Sequence, residues 1–322
     1  MKTYKKFTLY FLIVAPLIWL LYFVSVYLFY FDNKHDSFSV NTYFKYKEDL
    51  AKSIDKKKII FTSGSNNFLG IRTAKVEEHF GMPTANMSIH AGLGATYILD
   101  RVKKVLKKGD IVIVPLEYSN FIKNGEQSIV KNKYLLTYDK EYFKNSLDLS
   151  EQLKCISSVS VLDLINSVRD GSKETQGEKE RVELLKDLNK NGDMLNKTEH
   201  DEFKTSRPLF RLPSPYNLET KALIAIKEFN NWCKEREITF YITYPNTIYR
   251  KEYETKRYAD YFKSLEDYFK KNSIEFIGKP LEMMYAKKYF YDTQYHLISE
   301  GSDIRTKDFI EVLEKENRIP KQ

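Results

Sequence analysis

The hydrophobic pattern divides the chain sharply. Phe7 to Phe31 holds no charged residue, and as a helix these 25 residues would span roughly 37 Å, against a bilayer hydrocarbon core of about 30 Å. This predicts a transmembrane helix. A secretory signal has an apolar core of only about 7–15 residues and ends at a small-x-small site. This segment is longer and closes on Leu28-Phe29-Tyr30-Phe31, which argues against cleavage. Pro16 is tolerable inside a membrane helix.

Beyond the span the pattern becomes that of an α/β domain. Asp32 to Thr42 reads as a polar linker and Tyr43 to Ser53 as a short helix. Ile59-Ile60-Phe61-Thr62 is a short β-branched run bounded by turn residues, the mark of a buried strand. Helical spacing follows over Arg72 to Phe80, a strand over Thr84 to Ile89, a helix over Ala95 to Lys107 and a strand over Ile111 to Val114. From about 119 to 216 the rhythm stops. That stretch reads as an insertion with apolar helical patches at Leu147–Val159 and Val161–Val168 and a charged run from Asp170 to Glu202. The rhythm resumes with a helix at Leu218–Glu235 and a strand at Ile238–Thr243. A helix at Lys256–Lys271, a strand at Ile274–Ile277, a loop at Tyr291–Leu297 and a closing helix at Asp303–Glu316 complete it. Strands alternating with helices predict right-handed crossovers and a parallel sheet. The expected organisation is a cytoplasmic tip and anchor (1–31), a linker with a membrane-proximal helix (32–55), and an α/β domain (56–322) with its insertion at about 119–216.

Charge adds orientation. Three of the +8 net charges sit on Lys2, Lys5 and Lys6, ahead of the span. The positive-inside rule then leaves the N-terminus in the cytoplasm and the remainder outside, a single-pass signal-anchor arrangement in the cell membrane. The rest of the chain is only mildly basic, with no basic stripe interleaved with aromatics, so no nucleic-acid partner is expected. The two cysteines, Cys155 and Cys233, lack metal-ligand spacing, so no zinc site is expected. A disulfide between them and two separate buried thiols both remain open.

Ligands of such sheets bind beyond the carboxyl ends of the strands, and three clusters fall there. Gly64-Ser65-Asn66-Asn67 follows the first strand, Gly92-Leu93-Gly94 the second, and Asp292-Thr293-Gln294-Tyr295-His296 precedes the last helix. A serine on a tight turn with a distant His and Asp is the material of acyl transfer. The imidazole takes the serine proton, and the carboxylate fixes its tautomer. Backbone N–H groups near Gly64, Ser65 and Gly92 are candidate oxyanion donors. Each residue also has a plain reading. Ser65 serves equally as a helix cap, Asp292 as a turn cap, Glu117 as a structural carboxylate and Gly92 as a helix starter. His90, beside Gly92, reads as a wall of the site.

These residues resemble the SGNH (GDSL) hydrolase superfamily, and the membrane-anchored form resembles the DltD-like and polysaccharide O-acetylation proteins. The resemblance covers about 56–118 and 217–316. It implies a flavodoxin-like three-layer α/β/α sandwich, Ser65 as nucleophile, Gly92 as an oxyanion glycine, and His296 and Asp292 as base and orienting acid. Two departures stand out. Asp292 and His296 are four apart where the family has three. The family's Gly-x-Asn-Asp block is replaced by Val114-Pro115-Leu116-Glu117-Tyr118-Ser119-Asn120, leaving Asn120, Asn67, Asn86 or Asn246 to supply the oxyanion amide. The implied activity is an extracytoplasmic serine esterase or O-acyltransferase on a cell-surface glycan or anionic envelope polymer. It needs no cofactor or metal and has a multi-span membrane acyltransferase as partner. A second reading, from the same departures, is a non-catalytic anchored assembly or binding protein.

Overall fold

The computed structural model describes residues 2–31, 37–122, 128–170, 177–195, 210, 212 and 216–321. Part of the expected linker (32–36) and much of the charged run (171–176 and 196–202) lie outside them, as do the side chains of Lys2, Lys5 and Lys6. The chain forms two compact units. One comprises Met1–Asn41 and Gln127–Arg181, the other Thr42–Glu126 and Val182–Gln322.

The first unit is helical. Helix α1 (Lys2–Phe29) contains the apolar stretch Tyr10–Phe29, whose length and composition fit a membrane anchor or a signal segment. The boundary with the second unit falls inside α2 (Phe38–Ser53). The expected insertion contributes helices of its own, whose labels are given below after those of the strands that precede them.

The second unit is mixed α/β. It runs β1 (Ile59–Phe61), α3 (Ser65–Phe68), α4 (Thr73–Phe80), β2 (Thr84–Asn86), α5 (Ala95–Lys103), β3 (Ile111–Val114) and α6 (Tyr118–Ile122). After α6 come the helices of the other unit: α7 (Ile129–Thr137), α8 (Lys140–Asn145), α9 (Leu149–Ser157), α10 (Val161–Asp170) and the start of α11 (Gly177–Leu185). The α/β unit resumes with α12 (Lys221–Glu235), β4 (Thr239–Thr243), β5 (Thr247–Ile248), α13 (Lys256–Lys271), β6 (Glu275–Ile277), β7 (Met284–Tyr285) and α14 (Ser299–Lys315). Five strands form one parallel sheet in the order β2-β1-β3-β4-β6. Ile60 pairs with Ala85 on one side and Val112 on the other, and Ile113 lies opposite Tyr241. The central strands are buried on both faces, which is why they read as unbroken apolar runs rather than alternating ones. Because β2 lies on one side of β1 and β3 on the other, the connections diverge after β1, and the crevice at the carboxyl ends of β1 and β3 is the topological switch point.

Two features depart from the sequence expectation. The insertion is not one body: Val182–Leu195 belongs with the α/β unit. Asp193 accepts from Thr73 Oγ1 at 2.7 Å and Asn86 Nδ2 at 3.0 Å, and Asn191 O accepts the Asn86 N–H at 2.8 Å. Most of the expected membrane-proximal helix belongs there too. Lys47 on α2 is fully buried, donates 2.7 Å to Ser88 O and lies 3.8 Å over the Phe68 ring. Its apolar surroundings push its ammonium well below the ordinary lysine range, against the pull of Asp193. Both cysteines are free, buried thiols.

Candidate active site

Ser65 stands where β1 ends. The chain leaves the sheet through Thr62-Ser63-Gly64, all buried, and Ser65 opens the single turn α3. Buried polar groups hold this turn against the end of β3. Asn66 Nδ2 donates 2.8 Å to Pro115 O, and Ser63 Oγ sits 2.8 Å from Asn66 Oδ1. Glycine is required at position 64 by close approach. A Cβ there would lie 2.2 Å from Glu117 Oε1 and 2.5 Å from the Ala91 Cα and backbone nitrogen.

The partner loop comes from the other end of the chain. Phe290 and Leu297 form an antiparallel bridge around it, and Ile248, Tyr285, Phe290 and Leu297 make an apolar cluster beneath it. Strands β5 and β7, two residues each and without a detectable sequence period, pair in parallel to build that floor. Within the loop, Thr293 Oγ1 accepts the N–H of Tyr295 at 3.2 Å and of His296 at 3.1 Å. Asn246 Nδ2 donates 2.7 Å to Tyr295 O, and Tyr291 stacks on the His296 ring. The irregular turn thus absorbs the four-residue spacing and aims both functional side chains one way. His296 Nε2 lies 2.7 Å from Ser65 Oγ, and His296 Nδ1 lies 2.7 Å from Asp292 Oδ1. The His296 side chain is 17% exposed and that of Asp292 51%.

A buried pair of opposite charges underlies the serine. Glu117, 1% exposed, accepts the Asn66 N–H at 3.2 Å and the Gly64 N–H. Burial raises its carboxyl above the ordinary range, although these bonds and the neighbouring His296 pull the other way. Arg305, 2% exposed, reaches from α14 to donate 3.3 Å to Asn66 O and 3.2 Å to Asn67 Oδ1. Burial lowers its guanidinium to about 10, with Tyr285 and Glu117 opposing.

No family model matches the chain, and no curated protein matches it significantly. The site therefore rests on its own geometry, which sorts the expected residues. Ser65, His296 and Asp292 come together, with Gly64 and Glu117 directly behind the serine. Asn67 does not face the site: its amide donates 2.9 Å to Ser88 Oγ and accepts Arg305, because α3 turns it into the core. Asn120 sits on α6 and spends its amide on Glu117 Oε2 at 3.3 Å. The Gly92 N–H donates 2.9 Å to His90 Nδ1, since the chain takes a tight 3-10 turn at Ala91–Leu93. His90 thus presents an exposed ring whose near nitrogen is engaged. Partial desolvation of its ring and the nearby His296 push it below the ordinary imidazole range. Asn86 is buried and bonded to Asp193, and Asn246 braces the His296 loop. Sequence reasoning missed Ala91, Asn66 and Arg305. Among the described residues, the N–H groups of Ser65 and Ala91 have no acceptor, and Ala91 abuts Gly64. Among the described residues no group of three or more His, Cys, Asp or Glu side chains converges to hold a metal ion.

Proposed function

We propose that this chain is an extracytoplasmic serine esterase or O-acyltransferase of SGNH type, tethered by α1 and acting on acyl groups of a cell-surface glycan or related envelope polymer. One observation carries the reading: the continuous Ser65–His296–Asp292 relay, with 2.7 Å at each link. His296 Nε2 takes the Ser65 proton as Oγ attacks the acyl carbon, and Asp292 stabilises the imidazolium. The oxyanion that forms faces the unpartnered Ser65 and Ala91 N–H groups. His296 then returns the proton to the departing alkoxide. The acyl-serine passes to water in hydrolysis or to a glycan hydroxyl in transfer.

The five parallel strands suit the flavodoxin-like sandwich that the superfamily implies. Retention of α1 as an anchor is supported by packing at its C-terminal end: Val26 and, just beyond the helix, Tyr30 are fully buried, and Phe31 meets Phe143 edge-on. Each such burial is worth about 2 kcal/mol, which cleavage would forfeit. Outside the cytoplasm no acyl-CoA is at hand, so a transferase would draw on a multi-span acyltransferase that passes the acyl group across the membrane. The non-catalytic reading draws on one observation, that the Gly92 N–H and the Asn120 amide are already engaged, by His90 and by Glu117.

The test is turnover of an aryl acetate by the purified full chain. Activity that disappears in Ser65→Ala supports the reading, and an inert wild type that still binds polymer selects the other. A reporter active only outside the cytoplasm, fused after Gln322, tests the orientation.

A further inference from the structure

Tyr22 lies seven residues before Phe29, the last residue of the apolar stretch of α1. On a helix that is about 10 Å along the axis. At this level α1 meets the turn between α9 and α10. The Tyr22 hydroxyl is 2.8 Å from Ile156 O and 2.6 Å from Val159 O, and α10 packs against α1. The stretch Tyr10–Phe29 is 20 residues, about 30 Å, the full thickness of a hydrocarbon core. If the bilayer ended at Tyr22 instead, only about 18 Å of that stretch would remain to cross it. A chain that spans therefore carries the α9–α10 turn below the membrane surface.

Two independent features suit that depth. The first is polar satisfaction. Polar groups left bare at a helix end find water at a surface and nothing in hydrocarbon. At this turn backbone and hydroxyl donors converge on the carbonyls. The Ser158 N–H and Oγ both donate to Cys155 O, the Val159 N–H donates to Ile156 O, the Tyr22 hydroxyl lies between Ile156 O and Val159 O, and Ser157 Oγ donates to Leu153 O. The Asp163 carboxylate is filled by Lys133 Nζ and by the N–H and hydroxyl of Ser160. The second feature is the outer surface. Val161, Ile165 and Val168 form one stripe of α10, with Leu162 beside it, and all four are 56–67% exposed. Leu149 on α9 is 71% exposed.

We propose that the α9–α10 hairpin is a second membrane element, half-inserted beside α1, whose exposed apolar face is covered by lipid acyl chains of the adjacent leaflet. The inference rests on the reading of α1 as a membrane span. It gives the helical unit a fixed depth and rotation at the bilayer, where a lone helix would leave it free to swivel.

The test uses the full chain in phosphatidylcholine–phosphatidylglycerol vesicles with one nitroxide label at a time. Labels replace Ile165 or Val168, with Val14→Cys as a mid-span reference and Glu228→Cys as an aqueous one. All are exposed positions, so folding is spared, and both natural cysteines are buried. Collision rates with oxygen, which concentrates in lipid, and with a water-soluble nickel chelate are compared. The expected result is that Ile165→Cys and Val168→Cys favour oxygen several-fold over nickel, as Val14→Cys does. Nickel access like that of Glu228→Cys at both positions overturns the inference while leaving the anchor intact. Protection from both reagents also overturns it, because a protein then covers the face. A water-exposed Val14 label overturns the anchor and this inference together.

Discussion

The Ser65 turn and the Asp292–His296 loop share one hydrogen bond, yet they are built in opposite ways. Every residue from Phe61 to Gly70 except Ser65 is buried, and the turn is pinned by Glu117, Pro115 and Arg305, which come from other elements. From Tyr291 to His296 no residue is fully buried, and the loop is held by a threonine-centred turn, one asparagine and two apolar anchors. The difference teaches where stability and chemistry separate. Buried polar bonds that lose a partner leave an orphan and cost stability. Bonds within this half-buried loop are more readily replaced by water, so their loss is felt mainly in the aim of the imidazole.

The largest effect expected is catalytic. Ser65→Ala and His296→Ala should each lower kcat by about 10³–10⁶, with an unchanged melting temperature, and Asp292→Asn should lower it less. Turnover assays beside thermal melts check this. A His296→Ala variant that melted early would contradict the view of that loop as separable from the core.

Gly64→Ala should act on the other side. Its Cβ meets backbone at Ala91 as well as the Glu117 carboxyl, so the strain cannot be relieved by one rotamer. Destabilisation of about 1–3 kcal/mol or more is expected, read by denaturant midpoint. Arg305→Ala and Asn246→Ala sharpen the same contrast at smaller scale. The first leaves Asn66 O and Asn67 Oδ1 short of donors and should cost about 1–3 kcal/mol. The second removes the bond a buried amide makes to the half-buried Tyr295 O and should cost about 1 kcal/mol while lowering kcat more than it changes KM.

The triad was legible because it needs only residue types at strand ends. Short β-branched and aromatic runs marked β1, β3 and β4, the alternation with helices placed β2 and β6, and Ser65 and His296 fell at the carboxyl side of the sheet. What escaped was what depends on packing. Arg305 sits mid-helix in a Ser-Asp-Ile-Arg-Thr run that reads as solvated, and only the fold reveals its burial and its bonds to Asn66 and Asn67 of the α3 turn. Ala91 contributes only backbone, so no side-chain signature could mark it. Asn67 and Asn120 were named for chemistry that their positions on α3 and α6 deny them. The division of the insertion was invisible, since Asp193 holds Val182–Leu195 to the α/β unit through partners more than 100 residues away.

The smallest effects are pH-dependent and of opposite sign at two groups near the site, Glu117 behind the Ser65 turn and His90 in the loop after β2. Glu117 has a raised folded-state pKa, so its contribution is full below its ordinary value and is lost as pH rises through the folded one. His90 has a lowered one, so stability is lost as pH falls from about 6.5 toward the folded value, where a charged ring can no longer accept the Gly92 N–H. Glu117→Gln should flatten the loss seen as pH rises above the ordinary carboxylate range, and His90→Gln the loss seen as pH falls below about 6.5, each read from melts across pH.

The central claim is that His296 makes Ser65 nucleophilic. Labelling the full chain in membranes with a fluorophosphonate, followed by peptide mass analysis, tests it directly. The account predicts one adduct, on the peptide carrying Ser65, formed at a rate that falls at least a hundredfold in His296→Ala. An adduct elsewhere, or equal labelling of Ser65 with and without His296, would contradict it.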